Sequence, residues 1–224
     1  MRLKAQEGLL FNLEREALIA SCLEGEQKIH EYHTKFDLIS QEYAPRKHVG
    51  APPLEWARTV FDSLWKERPN RYASHGPFRF KQVIDAQLEF PSQPVGNCLG
   101  LTLLYNCLLR RIGIWAQALY LENAFEVGPH VLTFLRIDNL EIDVENILPE
   151  GFDYKGHKEN PYRVEWGDKE LVADVYQSAG TESFQREEFW EALRNYDLAM
   201  KLYPGYEKAR LNRAILLDRM MIKG

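Results

Sequence analysis

The run from Leu99 to Leu109 carries no charged residue and stops at Arg110-Arg111. A helix that is apolar on every side has no face to give to water, so the rest of the chain has to wrap it. The run is far shorter than the roughly 20 apolar residues that span a bilayer. Gly96, Asn97 and Cys98 precede it, and Gly113 follows as a left-handed helix stop. The sequence thus sets a thiol at the first turn of a buried helix. Unpaired backbone N–H groups and the positive end of the helix dipole collect there. Both favour thiolate over thiol, and the same N–H groups can hold an oxyanion. Cys98 is therefore read as a nucleophile, whereas Cys107, mid-helix among leucines, reads as core.

The flanking patterns fix the fold class. Residues 5–24 repeat apolar side chains at Leu10, Leu13, Ala17, Ala20 and Leu23, and residues 27–43 do so at Ile29, Tyr32, Phe36, Ile39 and Tyr43. A proline-rich break follows over 43–53. The stripe resumes at Leu54, Ala57, Val60, Phe61 and Leu64, and a short helix is expected around Phe80, Val83 and Ile84. After Gly113 the period changes. Residues 114–121 and 130–137 are rich in strand formers, and Leu140, Ile142 and Val144 alternate with Glu141 and Asp143. A polar loop leads to a further short strand at 162–166, and from Leu171 the chain is helical again. Helices, a small antiparallel sheet and helices again make an α+β layout. The expected division is an N-terminal helical segment at 1–50, a core at 51–168 and a helical tail at 169–224.

Charge and composition narrow the function. With 28 basic against 33 acidic residues the net charge is -5, which argues against a nucleic-acid partner or an anionic membrane surface. Three cysteines in 224 residues do not make a disulfide framework. The first twenty residues carry acids every few positions, unlike a signal peptide or a membrane anchor. A reduced, soluble, cytoplasmic protein is expected. No HExxH, CxxC, dense His/Asp cluster or phosphate-cradling glycine loop is present, so neither a metal nor a cofactor is expected.

A cysteine nucleophile needs a base and a group that orients the base. His130 opens a strand where loops gather and is the candidate base. Asp143, the polar residue between Ile142 and Val144, is the natural orienting acid. A two-residue Asp138-Asn139 turn would place Asp143 opposite Phe134. That is roughly 13 Å along the strand from His130 at about 3.3 Å per residue. A four-residue loop from Arg136 to Asn139 would bring the pair within reach, and the longer loop is expected. Glu145 shares the face of Asp143 and is the alternative acid. His75 and His157 sit in loops beside glycine and are given no role.

The segments GNCLGLTLLYNCLLRRIGI and HVLTFLRIDNLEIDVEN together resemble the core of the transglutaminase-like superfamily. The resemblance covers about residues 55–150. It implies a papain-like arrangement: a helix starting at the nucleophilic cysteine, packed on a sheet whose successive strands carry His and Asp. The order matches Cys98, His130 and Asp143, while an ungapped alignment to the usual family hairpin places Glu145 at the acid. Gln93 or Asn97 would then be the side chain that assists the oxyanion hole. The tail resembles a tetratricopeptide repeat, with Tyr176, Gly180, Ala192, Tyr196, Ala199 and Pro204 at that repeat's spacing. Similar pairings of the two modules occur in bacterial proteins. The resemblance implies a cysteine hydrolase or acyltransferase acting on an amide or ester of a peptide or protein. The alternative is an idle fold that binds a protein partner through its tail.

Overall fold

The computed structural model describes residues 11–43, 52–89 and 92–223. The expected helix start over 5–10 and the proline-rich break over 44–51 lie outside the described residues. Among the described residues the chain is α+β, with eight helices and a four-stranded antiparallel sheet. Five helices come first: α1 (Leu13–Ala20), α2 (Glu26–Tyr43), α3 (Pro53–Glu67), α4 (Phe80–Glu89) and α5 (Cys98–Arg111). The strands are β1 (Ala116–Ala124), β2 (Gly128–Ile137), β3 (Leu140–Val144) and β4 (Arg163–Trp166). Three helices close the chain: α6 (Asp168–Gln185), α7 (Phe189–Leu202) and α8 (Glu207–Lys223). No described helix is long and apolar enough to cross a membrane.

The chain forms two compact units. One is Ala17–Gly167, and the other is Asp168–Gly224 with the residues before Ala17. In the first unit α5 is the buried helix its sequence demands, with every residue from Leu99 to Leu109 buried. One side meets the sheet, where Thr133 Oγ1 donates to Asn106 Oδ1 at 2.6 Å and Thr102 Oγ1 to the Val131 carbonyl at 3.2 Å. Another side meets the helices, where the Tyr105 hydroxyl donates to the Ala57 carbonyl at 2.7 Å and its ring lies edge-on to Phe61. Gly100 makes the closest approach. A Cβ there would overlap the Pro77 carbonyl and come within 2.8 Å of Val83. The same Pro77 carbonyl accepts the Asn97 N–H at 3.0 Å, so the loop before α4 and the start of α5 are locked together.

The sheet order is β3-β2-β1-β4. β3 and β4 lie at opposite edges, so the chain between them must travel the sheet's width, about 14 Å at some 4.8 Å per strand. Asp138 and Asn139 have φ of 50° and 66°, the left-handed pair of a two-residue hairpin turn. This corrects the register expected from sequence. Asp143 pairs with Phe134, and the longer Arg136–Asn139 loop does not form. In the second unit α6 packs against α7 and α7 against α8. Gly180 sits against the Tyr196 ring, where a Cβ would fall 2.6 Å from Cε1, and the Tyr206 hydroxyl donates to Asp174 at 2.5 Å.

Candidate active site

Asn97 caps α5. Its backbone is extended and its Oδ1 accepts the Gly100 N–H at 3.1 Å. Cys98 is the first helical residue and is partly exposed. The approach to it is held by short pairing in which the Arg71 carbonyl accepts the N–H groups of Val95 (2.8 Å) and Gly96 (3.1 Å). Tyr72 bridges Gly96 in parallel. The N–H groups of Cys98 and Leu99 belong to the first turn and have no carbonyl within the helix to bond.

His130 lies near the start of β2, paired across to Leu121. It is 7 % exposed, and Cys98 lies near enough to its ring to raise its pKa. The other side of the ring meets Glu145. Nε2 stands 2.9 Å from Oε1 and 2.8 Å from Oε2. A carboxylate only accepts, so Nε2 carries its proton and Nδ1 is the nitrogen left for the sulfur. Burial opposes a charge on this imidazole, but the hydrogen bonds and negative charges of Cys98 and Glu145 outweigh it and lift its pKa to about 10. Burial likewise pushes Glu145 up, yet hydrogen bonds from two histidines hold it below the usual carboxylate range.

The second histidine is His157, 4 % exposed, whose Nε2 stands 3.0 Å from Glu145 Oε2. It arrives on the crossover between β3 and β4. Phe125, at the tip of the β1–β2 hairpin, turns its ring edge-on to both imidazoles, 5.5 Å from His130 and 4.8 Å from His157 between centroids. Tyr154 packs on His157 at 4.9 Å. This aromatic wall lowers the local dielectric and strengthens the charged hydrogen bonds within. Tyr72 completes the rim. Burial, then the charges of Cys98 and Glu145, raise its pKa, so its hydroxyl keeps its proton.

The structure therefore brings Cys98 and His130 together and sets Glu145 against His130. Asp143 goes elsewhere, because the hairpin register leaves it opposite Phe134. It is fully buried and accepts from Arg163 Nη1 at 2.7 Å, Arg163 Nη2 at 3.1 Å and Lys158 Nζ at 3.1 Å. Arg163 also donates to the His157 carbonyl at 2.8 Å, so Asp143 pins the crossover that carries His157. Of the two sequence-expected oxyanion side chains, Asn97 engages its oxygen in the cap, and Gln93 is exposed with its carbonyl accepting from Arg68 at 2.8 Å. His157, Tyr72 and Phe125 were missed. All three lie in loops, where no periodicity marks which way a side chain points. No protein-family model, curated protein or solved structure matches this chain.

Proposed function

We propose that this chain is a transglutaminase-like cysteine hydrolase or acyltransferase that uses Cys98, His130 and Glu145 on an amide or ester carbonyl. The observation that carries the reading is the alignment of four parts: a helix N-terminus, a thiol, an imidazole and a buried carboxylate that fixes the ring's tautomer. The raised pKa of His130 keeps it as imidazolium at neutral pH, the partner a thiolate requires.

In the first half-reaction the Cys98 thiolate attacks the carbonyl carbon. The oxyanion is met by N–H groups of the first turn of α5 and by the Tyr72 hydroxyl. His130 gives its Nδ1 proton to the leaving amine or alkoxide, the C–N or C–O bond breaks, and a thioester remains on Cys98. In the second half-reaction water or an amine attacks the thioester. His130 takes the nucleophile's proton at Nδ1, the C–S bond breaks, and the thiolate–imidazolium pair returns. Glu145 holds Nε2–H throughout and offsets the imidazolium charge.

The competing reading is a retained fold with an idle triad that works as a protein-binding module. Trp190, Leu211 and Met221 support it, as they are 76 %, 62 % and 73 % exposed in the tetratricopeptide-like tail. Intact-mass analysis after brief exposure to an activated aryl ester separates the two. A catalytic triad gives a single acyl adduct on Cys98 that is absent in Cys98→Ala and decays with time. An idle one gives no adduct, or adducts shared equally with the exposed Cys22.

A further inference from the structure

Glu145 lies between two imidazoles, although orienting His130 needs only one. We propose that His130 Nε2, Glu145 and His157 Nε2 form a binding site for a divalent transition metal of the zinc type.

The donor atoms of these three residues all lie within 4.8 Å of one another, and all three residues are buried. The two Nε2 atoms already stand 2.8 Å and 3.0 Å from the same oxygen, Oε2. Zinc bonds to nitrogen and carboxylate oxygen are about 2.0–2.2 Å, so tetrahedral donors sit roughly 3.3 Å apart. Seating the ion would move each Nε2 away from Oε2 by a few tenths of an ångström. Two imidazoles and one carboxylate suit zinc and its neighbours rather than calcium or magnesium, which take oxygen. The scaffold around the donors is firm. His130 is on β2, Glu145 follows β3 with its N–H on the Gly151 carbonyl at 2.8 Å, and the His157 carbonyl is held by Arg163. Outer contacts of this kind fix ligand orientation.

A metal ion must displace the proton on each Nε2, and those two protons leave to solvent. Chelation removes the ion, each Nε2 regains its proton, and the Glu145 hydrogen bonds re-form.

The test is a titration of metal-free full-length protein with Co2+ and Zn2+, alongside Cys98→Ala, Glu145→Gln and His157→Gln, each checked for native circular dichroism. We expect one equivalent of Co2+ with visible d–d absorption, fully retained in Cys98→Ala. Glu145→Gln and His157→Gln should weaken binding at least about tenfold. Zn2+ should displace the Co2+ and abolish the absorption, and a chelator should strip either ion. The proposal is overturned if the wild type shows no saturable binding or if binding vanishes in Cys98→Ala. The metal-free alkylation rate keeps the two readings apart. A sluggish Cys98 in a chain that binds Co2+ sinks the enzyme and leaves the metal site. A fast Cys98 with no Co2+ binding does the reverse.

Discussion

A carboxylate with no solvent exposure persists as an anion only when donors replace its water. Glu145 has two imidazole donors and a longer hydrogen bond from the Ile147 N–H at 3.4 Å, and the imidazoles make the site's stability depend on pH in both directions. The folded pKa of His130 is raised from 6.5 to about 10, so its contribution is complete below about 6.5 and disappears as pH rises toward 10. Glu145 is shifted the other way, so its contribution is present above the ordinary carboxylate range and lost as pH falls. The melting-temperature advantage of wild type over Glu145→Gln should therefore be widest near pH 5–6 and shrink on both sides, with a constant difference as the contrary result. Asp143 offers a contrast at the same scale. Its ion pairs to Arg163 and Lys158 are structural, and Asp143→Asn leaves a guanidinium without its counter-charge. Urea unfolding should show a loss of about 3 kcal/mol. Cys98 alkylation should fall far less than in Glu145→Gln, and an equal fall would make Asp143 the orienting acid after all.

At the scale of elements, the helix that carries Cys98 depends on one close approach. A methyl group at Gly100 would drive into the Pro77 carbonyl, in the segment leading into α4, and into Val83 on α4 itself. Gly100→Ala should lower stability by about 1–3 kcal/mol and slow Cys98 alkylation, because the cap and the thiol share that first turn. A variant as stable and as reactive as wild type would show that the turn relaxes freely. The helix, its start at Cys98 and the alternating strands were all legible in the sequence, since period is a local property. Where Asp143 would lie was not. Requiring Asp143 to reach His130 implied a four-residue loop, but Asp138 and Asn139 both adopt left-handed φ and close a two-residue turn. Turn chemistry set the register, and a shift of register decides which acid lies near a given partner.

At the scale of the whole molecule, the site is a product of chain crossings rather than of any one motif. Helix α5 supplies the thiol, β2 the imidazole, the end of β3 the carboxylate, and the crossover to β4 the second imidazole. Sequence spacing shows the first two and hides the last, since a loop of polar residues gives no signal of what it will cover. The tail, together with residues 11–16, forms the second compact unit, with Ala192, Tyr196 and Leu216 clustered in the tail and Phe184, Phe189, Leu193 and Met220 packed around them. Gly180, one of the residues at the repeat's spacing, is what admits the Tyr196 ring. Whether the crossings assemble a working nucleophile is the central claim, and one rate reads it: iodoacetamide modification of Cys98 from about pH 6 to 9, against exposed Cys22 as internal reference. The account predicts that Cys98 outpaces Cys22 at least about tenfold at pH 6, and that His130→Ala removes the difference. Equal rates at both cysteines, unmoved by His130→Ala, would contradict it.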